Sequence, residues 1–99
     1  MEITEQMSLF YNPVIAGKVF SITGKLPILR VDAMEAILSA GGIYHPMPSM
    51  KTDYIVIGAY KSQAPDGLTR KHRRAKIINE AGGHVEELSD VDFLKLLCE

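Results

Sequence analysis

Lys18-Val19-Phe20-Ser21-Ile22-Thr23-Gly24-Lys25 decides the fold of this 99-residue chain. The run is short, β-rich and nearly uncharged until it ends in a hydroxyl, a glycine and a base. A strand apolar on both faces is what a buried parallel sheet needs. Its Thr23-Gly24 tip places a hydroxyl and an approachable backbone N–H at the carboxyl edge of that sheet. Ligands of open α/β sheets bind at this edge. The tip therefore reads as one half of a phosphate site, with the other half far downstream at Lys71.

Working outward, residues 1–15 read as a leader and residues 16–99 as the folded domain. Leu9-Phe10-Tyr11 is placed to lie across the core, and Asn12-Pro13 breaks any regular element before it. After the strand, a loop Gly24–Arg30 carries Pro27. Asp32 is expected to open a helix, with Glu35 as its capping-box partner. Val31, Met34, Ile37 and Leu38 share one face of it at helical spacing. Gly41-Gly42 ends it. Ile43–Met50 should hold a second strand, kept short and at an edge because Pro46 and Pro48 remove ladder donors.

Tyr54-Ile55-Val56-Ile57-Gly58 is the clearest strand. A loop from Ala59 to Thr69 contains the turn signal Pro65-Asp66-Gly67. A second helix should run from Arg70 to Ala81, closed by Gly82-Gly83. His84–Leu88 reads as a last strand. Ser89, with Asp92 three residues on, should cap a final helix bearing Val91, Phe93, Leu94 and Leu97. The order β-α-β-β-α-β-α implies an α/β domain with a mostly parallel sheet and helices on both faces.

Composition narrows the function. A hydrophobic fraction of 46% suffices for one modest core. No apolar run is long enough to span a bilayer, and the first residues lack a signal peptide's basic start and apolar centre. The single cysteine, Cys98, excludes an internal disulfide framework and a Cys-rich zinc site. The expectation is a soluble cytoplasmic protein, nucleoid-associated if bacterial. A net charge of −1 argues against coating nucleic acid through bulk charge. Charge is nevertheless concentrated, since Arg70-Lys71-His72-Arg73-Arg74-Ala75-Lys76 holds five of the eleven Lys and Arg residues.

Four signatures in this order resemble the BRCT family, from Ala16 to Leu97. They are Gly17–Gly24 in the first strand, Gly41-Gly42 after the first helix, Lys51-Thr52-Asp53-Tyr54-Ile55-Val56-Ile57-Gly58, and Lys71…Arg74-Ala75 at the second helix. The chain is most similar in flavour to the single domains of NAD-dependent DNA ligases and polymerase-associated exonucleases, and to that of the large clamp-loader subunit. The resemblance implies a four-stranded sheet of order 2-1-3-4 flanked by three helices. It also implies a phosphate grip made by Thr23, Gly24 and Lys71, with Arg30 added as in clamp-loader-like members. Arg74 matches the base preceding alanine in the family's second helix. Two features depart from the family: the chain has no tryptophan in its last helix, where Phe93 is expected to fill the space, and prolines enter the second strand.

Electrostatics points the same way. A helix N-terminus carries partial positive charge, so each cation there is unfavourable by ~0.3–1 kcal/mol. Arg70, Lys71, Arg73 and Arg74 all crowd one first turn, an arrangement that calls for an anion on the free N–H groups. The bland alternative is a solvated basic face.

Other constellations fail. Gly24-Lys25 superficially suggests a nucleotide P-loop, but the required first glycine is Val19 and the required hydroxyl residue is Leu26. His45, His72 and His84 lack metal-ligand spacing and read as surface or loop residues. Cys98 has no identifiable base. Met47 and Met50 beside prolines read as a core-flanking loop or a contact surface.

The leading expectation is a non-catalytic module without a cofactor that recognises a 5′-phosphorylated DNA end or nick. Arg70, Arg73, Arg74 and Lys76 are then available to flanking phosphates. The alternatives are a phosphopeptide-binding module and a docking or dimerisation module of a larger repair or replication protein. No paired carboxylate, triad or metal set suggests an enzyme, and any activity would belong to other domains or partner proteins.

Overall fold

The computed structural model describes residues 12–60 and 64–98. The leader segment Leu9-Phe10-Tyr11 lies outside them. The elements in order are β1 (Val19–Thr23), α1 (Arg30–Ser39), β2 (Ile43–Tyr44), β3 (Tyr54–Ile57), α2 (Arg70–Glu80), β4 (Glu86–Ser89) and α3 (Asp90–Leu97). The four strands form one sheet of order β2-β1-β3-β4, and every pair is parallel. This is the α/β arrangement expected of a BRCT-like domain.

All five residues of β1 are buried, as a strand covered on both faces requires. Its alternation assigns the two layers. Phe20 and Ile22 point to the side where Ala33 and Ile37 of α1 and Phe93 of α3 complete the main core. On the opposite face, Ile55 of β3 meets Ala75 and Ile78 of α2. Phe20 joins the strands to the last helix: its ring stacks on Tyr54 at 5.0 Å and lies 6.1 Å from Phe93. Phe93 is fully buried, occupying the centre of the core from α3. Residues ahead of β1 also belong to the packed unit. Ile15 is fully buried, and Asn12 donates from Nδ2 to the Leu96 carbonyl at 2.9 Å.

Several sequence expectations shift. The first helix begins at Arg30, not at Asp32, and Leu29 at its N-cap offers no side-chain acceptor. Asp32 lies inside the first turn, where its charge suits the helix dipole without capping anything. The buried face of α1 is Ala33 and Ile37, while Val31 and Leu38 are exposed. Two small alanines, Ala33 and Ala40, let this helix approach the sheet closely, which turns the larger neighbours outward. β2 is cut to two residues ahead of Pro46 and sits at the edge, as proline demands.

β4 starts at Glu86 rather than His84. The reason is local: the Asn79 amide takes both backbone groups of Val85, accepting its N–H and donating to its carbonyl, each at 2.8 Å. Val85 is thereby withdrawn from the ladder. Ser89 does cap α3, accepting from the Asp92 N–H at 3.1 Å. Of that helix's expected apolar face, Phe93 is buried and Val91 is exposed.

Candidate phosphate-recognition site

The carboxyl end of β1 is shaped by a close backbone crossing. Lys25 and Ala59 exchange two hydrogen bonds of 2.8 and 2.9 Å, and the Gly58 N–H donates to the Thr23 carbonyl at 2.8 Å. Gly24 turns through φ +83, and a Cβ placed on it would lie 2.6 Å from the Gly58 carbonyl oxygen. Glycine is therefore required both for the left-handed backbone and for the approach of the two chains. The Gly24 N–H itself donates to no group among the described residues.

Around this tip the structure gathers three of the expected side chains. Lys71, in the first turn of α2, reaches across the sheet end to place Nζ 3.0 Å from the Ile22 carbonyl. Arg30, the first residue of α1, donates from Nη2 to the Gly24 carbonyl at 2.6 Å. The two cations oppose each other: partial burial, and then the charge of Arg30, push the Lys71 ammonium below its usual pKa. Thr23 is only 5% exposed, and its hydroxyl lies 2.7 Å from the Thr69 hydroxyl.

Thr69 is the residue that sequence reasoning missed. It is the N-cap of α2, its oxygen accepting from the His72 N–H at 3.1 Å. The same oxygen also accepts from the Thr23 hydroxyl, as the two lone pairs of a hydroxyl allow. His72 N–H, Thr69 and Thr23 thus form a chain of hydrogen bonds that leads from the cap to the strand tip. A threonine directly before a helical run was the available signal. Thr69→Ala is expected to cost ~1 kcal/mol of stability and Thr69→Ser a small fraction of that, read by urea denaturation.

The expected flanking bases are distributed unequally. Arg73 makes a paired contact with Asp66, at 2.8 and 2.9 Å, and its hydrogen bonds hold the exposed Asp66 carboxyl far below the ordinary carboxylate range. Lys76 lies 3.3 Å from Glu87. Arg74 donates from Nε to the Pro48 carbonyl at 2.9 Å. Arg70 has no hydrogen-bond or carboxylate partner among the described residues.

His72 is not the surface residue its sequence setting suggests. It is buried on the inner side of α2, with Tyr60 Oη 3.0 Å from Nδ1 and Glu87 Oε2 3.0 Å from Nε2. The second contact is a close approach without hydrogen-bond alignment. Burial opposes ionisation of Glu87, but the nearness of His72 and the hydrogen bond from Lys76 outweigh it and hold its carboxyl below the usual value. His84 is exposed and pairs with Asp53, and Cys98 is exposed. Among the described residues, no group of three His, Cys, Asp or Glu side chains is arranged to hold a metal ion. No helix there is long and apolar enough to cross a membrane.

Over 88 residues, 88% of its length, the chain is 34% identical to a DNA ligase of Neisseria gonorrhoeae. Over 87 residues it is 44% identical to a DNA ligase of Neisseria meningitidis serogroup B. The chain is similar to a small segment of bacterial DNA ligases. That segment is 9% of each ligase's length. No protein-family model matches the chain.

Proposed function

We propose that this chain is a non-catalytic module that recognises a phosphate on DNA, with a 5′-phosphorylated end or nick as its target. One observation carries the reading. Lys71 and Arg30, from two different helices, converge at the Thr23–Gly24 tip with no carboxylate paired to either among the described residues, and partial burial, then the charge of Arg30, hold the Lys71 ammonium below its usual pKa. Two like charges held together cost free energy that a bound anion would return. The unpaired Gly24 N–H and the hydroxyl chain through Thr69 supply neutral donors for the same anion. Similarity to a segment of DNA ligases favours DNA as the carrier of the phosphate.

The test is a comparison at one fixed salt of a labelled duplex with a recessed 5′-phosphate, the same duplex with a 5′-hydroxyl, and a phosphoserine peptide library. The 5′-phosphate duplex is expected to bind clearly best, because only a terminal phosphate presents three free oxygens and the extra charge. A win for the phosphopeptides would make the domain a peptide reader. Indifference to phosphate would reduce Thr23 and Gly24 to the end of a strand.

Salt dependence gives a second check. The pocket plus two or three flanking bases should yield a log–log slope of about −3 to −4, at roughly −0.9 per neutralised phosphate. Titrations of the 5′-phosphate duplex across a range of salt measure it, and a slope near zero would remove the nucleic-acid reading.

A further inference from the structure

A groove lies on the side of α2 that faces the loop between β2 and β3. Met47 and Met50 from that loop and Ile77 from α2 border a groove of about 370 Å³ that Arg70, Arg73 and Arg74 also line. That volume falls within the range of pockets that bind small ligands, roughly 300–1,000 Å³. Met47, Met50 and Ile77 are all exposed, with Ile77 at 57%. Flexible methionines beside a helix suit a surface that adapts to an inserted side chain. The groove wall is braced, since Arg74 bonds the Pro48 carbonyl and so ties helix to loop.

Charge identifies the occupant. Arg70 has no carboxylate partner among the described residues, and Arg74 spends only Nε on its carbonyl. The first turn of α2 contains no acidic residue at all. The geometry points to a peptide segment with one large apolar side chain flanked by Asp or Glu as the ligand of this groove. The apolar side chain covers Met47, Met50 and Ile77, and the carboxylates meet the two guanidinium groups and the positive end of the helix dipole. A DNA backbone offers the arginines an equal charge but gives the apolar floor nothing to bury. The apolar floor of Met47, Met50 and Ile77 is separate from the Thr23–Gly24–Lys71 grip, while Arg70 and Arg74 are the bases that flanking DNA phosphates would also use.

Selection of a random peptide library displayed on phage against the whole chain tests this. The expected consensus is an apolar anchor with acidic residues on either side. Ile77→Ser and Arg70→Glu should each weaken a selected peptide by about tenfold or more. Arg70→Glu also suits the helix dipole, so lost binding cannot be ascribed to unfolding. Ile77→Ser should leave binding of the 5′-phosphate duplex unchanged, which separates this surface from the phosphate reading. The proposal is overturned by the absence of any selected peptide, by a consensus lacking acidic residues, or by peptides insensitive to both substitutions. It is equally overturned if Arg70→Glu acts only on DNA binding, or if the groove proves to be covered by a second copy of the chain, seen as a dimer that Ile77→Ser dissociates.

Discussion

Gly24→Ala is expected to lower folding stability by about 2–5 kcal/mol, a large share of the roughly 5–15 kcal/mol that a domain possesses. Two penalties combine. A non-glycine residue at φ +83 costs ~1–2 kcal/mol. The added methyl also meets backbone, with the Gly58 carbonyl oxygen at 2.6 Å and its carbon at 2.8 Å, and overpacking of this kind costs ~1–3 kcal/mol. Neither atom belongs to a side chain that can swing aside, and the Lys25–Ala59 exchange holds both strands in place. Gly67→Ala is the control: it has the same sign of φ, +71, but nothing within 4 Å of the new methyl. Urea denaturation of both variants isolates the crossing. Equal losses would mean that the two strand ends separate easily, and the preformed tip would then carry no weight in the site.

Lys71→Ala is expected to reduce affinity for a 5′-phosphate duplex by about 10- to 150-fold, the equivalent of ~1.5–3 kcal/mol for a charge-assisted hydrogen bond. The loss should be specific. A 5′-hydroxyl duplex should be affected little, and equal losses on both duplexes would reduce Lys71 to general charge. The lowered pKa of Lys71 adds a pH signature. Its charged form is disfavoured in the free fold, so this group subtracts from stability below its folded pKa. That penalty fades as pH rises through the folded value toward the unfolded value near 10.5. A bound phosphate favours the charged form and raises the pKa, so binding takes up protons in the alkaline range. Affinity should therefore fall as pH climbs through the depressed pKa of free Lys71, and Lys71→Arg should flatten that decline.

The same residues explain how much of this protein its sequence could reveal. Burial of all of β1, and of Ile55 and Val56 in β3, was legible because a covered parallel strand must be apolar on both faces. Helix count followed from β-α alternation, strand order from the resemblance to a known family, and the stops at Gly41 and Gly82 from glycine's ease in the left-handed region, where they stand at φ +92 and +99. The approach of Lys71 to the Thr23–Gly24 tip was legible through resemblance to a known pattern, because spacing along a chain cannot measure distance across a sheet. Tertiary structure alone decided the rest. Packing of Ala33 and Ala40 against the sheet rotated α1, the Asn79 amide withdrew Val85 from the last strand, and the closeness of Tyr60 and Glu87 buried a histidine that looks exposed in sequence. The basic run shows the difference most clearly. Sequence presents five equivalent cations, whereas folding gives Arg73 and Lys76 carboxylates, commits Arg74 to a carbonyl and Lys71 to the strand tip, and leaves Arg70 open. Charge is written residue by residue, but which charges remain unneutralised depends on neighbours that only the folded chain brings within reach.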